Sequence, residues 1–458
     1  MLFQTWSFLV FFLIVYPLYL LVKGTRLRLP FLLAISYVFY AWLDVWYLVP
    51  IIYTSILDYF VVAAMARSQR KKRWLFVSIA NSLLLLGVFK YGGFITANVN
   101  ALLSAVGLSL AVPAPGRLLP AGLSFYLFQS MGYVIDCYRG TAEREKSFLA
   151  HATFVAFFPR LLAGPIERAG NLLPQLHETP RIRVDDFAEG LSLFVVGLFK
   201  KIALADYMAL YVGQVYGAPG EFQAPALLLA TFLFAWQIYF DFSGYTDMAR
   251  GVARMMGIRL MLNFNNPYLA TSLGEFWGRW HISLSSWFKD YVYIPLGGNR
   301  KGQFNTYRNI FLTMVLSGLW HGAAWTFVLW GAVHAVGRFA TRELERTTFY
   351  QQRVPRFAKQ MFVFAIVAFA WIFFRADSIS DAGLIVARIF TSGLNDPRCP
   401  LLAVGLIAAV WCYQFIFESR LRSLLELRAV RVGLVVLMLA FLAVFAPSSE
   451  QAFIYMQF

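Results

Sequence analysis

Residues 317–334 read SGLWHGAAWTFVLWGAVH. Apart from its two histidines the stretch is apolar or small, and it continues an apolar run that begins near residue 306. Roughly 20 mostly apolar residues suffice to cross a bilayer, so the pattern predicts one membrane span near residues 306–334. His321 then falls inside that span, between Trp320 and Trp325, with Gly318 and Gly322 four apart around it. Small residues at that spacing let neighbouring helices approach closely. An ionisable side chain at membrane depth is costly and usually lines a pathway or a site. Two readings of His321 stay open on the local pattern. One is an imidazole kept uncharged by burial and available as a proton acceptor; the other is a core histidine hydrogen-bonded across helices.

The rest of the chain supports a membrane setting. Of 458 residues, 59% are apolar and 18% aromatic, and only 14% are charged, against about 25% in an average soluble domain. Mean hydropathy is +0.61. The net charge of +16 would suggest a nucleic-acid partner in a soluble protein. Here the basic residues sit in short clusters between apolar runs, as the positive-inside rule expects, and nucleic acid is excluded. The clusters are 23–28, 67–73 (RSQRKKR), 338–359 and 420–431. Such cytosolic cations could also help hold a polyanionic donor.

Spans are predicted near 6–22, 29–43, 46–66, 74–91, 94–112, 187–205, 223–240, 306–334, 361–375, 401–418 and 432–447. The first two basic loops are separated by two spans and fall on the same, cytosolic, side. This leaves the N-terminus extracytoplasmic. The first stretch lacks a basic n-region and a small-residue cleavage site, so it reads as a retained span. Segment 378–398 is expected to stay outside as an interfacial loop, and the C-terminal PSSEQAFIYMQF to end outside. No repeat or linker divides the chain, which reads as one membrane domain over 1–458.

Two regions do not read as simple spans. Residues 119–165 carry Pro120, Gly122, Gly132, Asp136, Pro159, Gly164 and Pro165 among aromatic stretches. Irregular backbone at membrane depth needs protein or water to cover it, so a re-entrant or broken-helix arrangement is expected. In 263–300, Phe276, Trp277, Trp280, Leu284, Trp287 and Phe288 fall on one stripe of a continuous helix. Glu275 and Arg279 can pair on another side. That pattern predicts a helix lying along the membrane interface.

Among the other histidines, His177 sits in the polar stretch QLHETPRIR and reads as solvated, and His151 precedes an apolar run. His334 follows His321 by 13 residues, about 220° around one helix, and reads as structural on the opposite side. His281 adjoins the aromatic stripe. Asp241 and Asp247 lie beside a predicted span; they could orient a base or mark a turn, and pairing with Arg250 or Arg254 is the leading reading. The three cysteines are widely spaced and indicate neither a disulfide framework nor a metal site. There is no zinc-binding spacing, no phosphate-cradling glycine loop and no nucleophile elbow.

Taken together, DFSGYTDMARGVARMMGIRL (241–260), NFNNPYLATSLGEFWGRWHISLSSWFKDYVYIPLGGNRKG (263–302) and GLWHGAAWTFVLWGAVH (318–334) resemble the membrane-bound O-acyltransferase family. GLSFYLFQSMGYVIDCYRG, FFPRLLAGPIERA, WIFFRA and the terminal FIYMQF extend the resemblance over nearly the whole chain, toward the bacterial branch that acetylates exported polysaccharides such as alginate. The resemblance implies an all-α polytopic fold of about 11 transmembrane helices, with re-entrant and interfacial helices around a central tunnel and a catalytic core near 119–335. It implies catalytic roles for His321 and His281, and substrate binding by Trp280, Trp320, Arg279, Ser283, Asp241 and Asn299. It further implies acetyl-CoA as donor with no bound cofactor or metal, and a bacterial inner-membrane location. A periplasmic acetyltransferase partner, the polysaccharide secretion machinery and membrane lipid complete the implied partners. Two other readings are a D-alanyl relay to teichoic acid from a carrier protein, and a transporter or flippase without acyl chemistry.

Overall fold

A computed structural model describes residues 1–116, 119–395, 399–445 and 453–454, and among these every regular element is helical. Five of the described helices are long and apolar enough to cross a membrane: Val45–Arg67, Lys71–Phe89, Ala224–Met255, Arg356–Arg375 and Arg428–Phe445. Trp6–Val22, Arg28–Ala41 and Leu401–Phe417 are shorter apolar helices. The chain is a multi-pass membrane protein. Segment 378–398 contains a helix, Ile379–Thr391, rather than a loop, and the Ser378 hydroxyl caps it by accepting from the Asp381 amide at 3.0 Å. The predicted extracytoplasmic end, 447–458, lies outside the described residues apart from Phe453 and Ile454.

The contacts divide the chain into two compact units, Met1–Leu191 with Ala249–Met261, and Ser192–Met248 with Leu262–Phe458. In the first, the proline- and glycine-rich region folds as a broken helix. Helix Leu123–Arg139 is followed by Phe148–Ala156 and the single turn Phe158–Leu161, and residues 150–167 are all buried. Protein groups satisfy this irregular backbone. The Gln129 amide donates to the Phe154 carbonyl at 2.6 Å, and the buried Arg160 donates to the Val155 carbonyl at 2.5 Å and to the Gln129 side-chain oxygen. Gly122 starts this arrangement at φ 75°, and a Cβ there would lie 2.5 Å from the Leu161 carbonyl. Only glycine meets both demands.

In the second unit, the predicted single span 306–334 is two helices, Gly302–His321 and Trp325–Leu344, packed as a hairpin. Gly322 and Ala324 are extended, at φ −157° and −148°. Length was the available clue. A straight helix over 29 residues would run about 43 Å, beyond the roughly 30 Å hydrocarbon core. The expected close approach at Gly318 is present: a Cβ there would lie 2.1 Å from the Phe327 carbonyl, and one at Gly331 would lie 2.4 Å from the Met314 carbonyl. Backbone atoms cannot swing aside as a flexible side chain would. Gly318→Ala is therefore expected to destabilise the protein by at least about 1–3 kcal/mol, read as a lowered melting temperature in detergent. Gly405→Ala, where nothing lies within 4 Å, should melt with the wild type.

Candidate active site

His321 closes the first helix of the hairpin and is 4% exposed. Trp320 and Trp330 pack edge-on to it at 5.0 Å between ring centroids, and Phe374 does so at 5.4 Å. The site is thus the end of a helix beside a tight turn, rather than the middle of a span. The break also changes the place of His334. The chain reverses between the two histidines, so the 220° separation does not apply, and His334 packs edge-on to the same Trp330, at 4.7 Å between ring centroids. It is fully buried beside Phe276 and Trp277.

The ring of His281 lies 6.5 Å from that of His321, and Trp320 touches both, at 5.9 Å and 5.0 Å. The continuous helix expected across 276–288 would not give this geometry. Instead the helix stops at Arg279, and Ile282–Phe288 forms a second helix. Between them His281 adopts the left-handed conformation, φ 41° and ψ 53°. Among the described residues only His281 and Asn266 are non-glycine residues with positive φ. Such backbone costs on the order of 1–3 kcal/mol and persists only where the surroundings enforce it. Here the segment before it does so. The Ile282 amide donates to the Asn263 carbonyl at 2.9 Å, and the Asn265 amide to the Arg279 carbonyl at 2.9 Å. The aromatic stripe is therefore folded inward, with Phe276, Trp280 and Leu284 buried, rather than laid along an interface.

Asn263 also holds the His281 ring. Its side-chain oxygen lies 3.1 Å from His281 Nδ1, 2.9 Å from Ser283 Oγ and 3.2 Å from the Ser283 amide. Phe242 covers the ring edge-on at 4.7 Å. Burial pushes the His281 pKa down to about 3, so the ring is neutral across the physiological range and suits a fixed hydrogen-bonding role better than carrying a proton.

The other predicted residues divide. Trp320 packs against both histidines, and Ser283 shares the Asn263 oxygen with His281. Trp280 is fully buried among Phe264, Phe276 and Trp371. Arg279 pairs with Glu275 at 2.8 Å, as expected, and with Glu418 at 2.5 Å. Asn299 lies in an exposed turn. Asp241 is ion-paired, but not with Arg250 or Arg254. Those residues follow it on the same unbroken helix, about 13 and 20 Å further along. Its partner is Lys201 at 2.8 Å, which also holds Asp206 at 2.7 Å, while Lys200 pairs with Asp247 at 2.7 Å. Gly197 and Gly244 permit this by direct backbone approach: a Cβ on Gly197 would lie 2.5 Å from the Gly244 carbonyl. The Ile454 amide donates to the second Asp241 oxygen at 2.7 Å. Among the described residues no cluster of three histidine, cysteine or acidic side chains is placed to hold a metal ion.

Residues 142–378 match the family described as MBOAT, membrane-bound O-acyltransferase family. The chain is 41% identical over 397 residues to a probable alginate O-acetylase AlgI of Pseudomonas putida, covering 86% of this chain and 81% of that protein. It is 33% identical over 377 residues to a peptidoglycan O-acetyltransferase of Helicobacter pylori, covering 76% and 71%. A teichoic acid D-alanyltransferase of Streptococcus thermophilus is 29% identical over 231 residues, covering 47% of this chain and 55% of its own length.

Proposed function

This chain belongs to the membrane-bound O-acyltransferase family, and from that premise we propose that it moves acetyl groups from cytosolic acetyl-CoA to an exported polysaccharide. The observation that carries the reading is the pair of buried imidazoles 6.5 Å apart in an aromatic wall. Acyl transfer from a thioester to an alcohol needs a base for the hydroxyl proton as attack proceeds. His321 takes that proton while the oxygen attacks the thioester carbonyl. Collapse of the tetrahedral adduct expels the thiolate, which recovers the proton from the imidazolium. The same ring can instead accept the acetyl group first and hand it to the alcohol. The surrounding Trp320, Trp330 and Phe374 exclude the water that would hydrolyse the thioester, and His281 positions a substrate.

In this reading the protein lies in the bacterial inner membrane. Basic cytosolic clusters attract the phosphates of the donor, and a periplasmic acetyltransferase partner receives the acetyl group before it reaches the polymer. The long match to the alginate and peptidoglycan O-acetylating relatives supports acetyl transfer over D-alanyl transfer, for which the likeness spans only 47% of the chain. Sealed membrane vesicles test the donor and the direction. Labelled acetyl-CoA offered to the cytosolic face should transfer label to an acceptor on the other face, and a D-alanyl carrier protein should not. Transfer of D-alanine, or label that moves only from the opposite face, would contradict this assignment.

A further inference from the structure

We propose that Asn263 is a positioning residue that holds His281 with its proton on Nδ1, so that Nε2 accepts a hydrogen bond from a hydroxyl of the acyl acceptor. The argument starts from a group whose role is fixed. The Ser283 backbone amide can only donate, and it lies 3.2 Å from the end of the Asn263 side chain. The atom it meets is therefore the carbonyl oxygen, which settles the orientation of an otherwise ambiguous amide. The same oxygen faces His281 Nδ1 at 3.1 Å. An oxygen acceptor requires the proton to be on that nitrogen. A neutral imidazole carries one proton, so Nε2 bears the lone pair.

Asn263 is well built for this task. Its backbone carbonyl accepts from the Ile282 amide at 2.9 Å, and its side chain accepts from Ser283. The two bonds grip the chain directly after the left-handed residue, and the third, to Nδ1, sets the rotation of the ring. One residue, through its backbone carbonyl and its side chain, thus fixes both the backbone and the tautomer of His281.

The consequence concerns which substrate His281 meets. A neutral ring with its lone pair at Nε2 cannot donate to a thioester carbonyl. It accepts from a group that brings a proton, and the alcohol side of the reaction supplies such groups. His281 then orients the acceptor through a hydrogen-bond donor near the reacting hydroxyl, while His321 takes the reacting proton. This assignment rests on the acyl-transfer reading; the tautomer does not.

The test uses the full-length protein in lipid with ¹⁵N-labelled histidine, the His281 signals being identified by their loss in His281→Ala. Wild type and Asn263→Asp, which keeps the acceptor oxygen, should show a proton-bearing Nδ1 and a lone-pair Nε2. Asn263→Leu should lose that pattern and turn over about 10- to 10²-fold more slowly, with the effect on KM falling on the acceptor and not on acetyl-CoA. The Asp variant should recover most of the rate. A wild-type ring protonated on Nε2 overturns the proposal outright, whatever reaction the protein performs and whether or not the variants fold. A Leu variant with unchanged tautomer and rate, or an Asp variant that keeps its fold yet loses the Nδ1 proton, overturns the role of Asn263.

Discussion

His321→Ala is expected to lower acetyl transfer by about 10²- to 10⁴-fold, the usual contribution of a positioned acid–base group. The ring sits at a helix terminus among Trp320, Trp330 and Phe374, so the substitution also opens space in a packed wall. His321→Gln fills most of that space without a base of comparable strength and should be equally slow. The two variants together separate chemistry from packing. Both are measured with labelled acetyl-CoA on purified protein, beside the melting temperature and acetyl-CoA binding. Loss of transfer with binding retained fits the assignment. Full turnover in the Gln variant would remove His321 from the chemistry.

The second large effect is on stability. Lys201→Met should destabilise the protein by about 3–5 kcal/mol, the cost of stripping one partner from a buried ion pair. Lys201 is 2% exposed and stands between Asp206 and Asp241, so its loss leaves two carboxylates close together without their cation. Lys200→Met is the control: its ion pair with Asp247 retains some solvent contact on both sides, and its loss should cost much less. Changing the whole cluster at once, with Asp206→Asn and Asp241→Asn added to Lys201→Met, should recover most of the lost stability, because no buried charge is then stranded. Thermal melting in detergent reads all three proteins. The expected result places Asp241 in the scaffold. A loss of acceptor binding in Asp241→Asn without any change in melting would instead return it to the substrate site.

Much of this was legible in the chain. Hydropathy locates most of the predicted spans to within a few residues of an apolar helix, and punctuation by proline and glycine marks 119–165 as broken. The resemblance singles out His321 and His281 together. What periodicity could not see were two interruptions. The apolar run 306–334 carries no proline, and in Gly322-Ala323-Ala324 a single glycine, costing a helix only about 1 kcal/mol, is too weak a break to mark a turn. The hairpin forms because Gly318 and Gly331 allow the two helices to touch backbone to backbone. The stripe from Phe276 to Phe288 has the spacing of one helix, yet its register is broken at His281 by bonds from Asn263, 18 residues away in sequence. Nothing local marks Asn263. Lys200 and Lys201 did carry a signal, being two cations inside an apolar run. The sequence pairs Asp241 with Arg250 or Arg254, whereas its partner Lys201 comes from a separate helix, which an argument confined to neighbours along the chain does not reach.

The central claim is that His321 and His281 serve one reaction at one site. A double-mutant cycle on acetyl transfer tests it most directly, comparing His321→Ala, His281→Ala and the double variant under identical conditions. Groups that act as a unit are strongly non-additive, so the double variant is expected to be no slower than His321→Ala alone. Two losses that simply multiply, as they do for independent positions, would contradict the account.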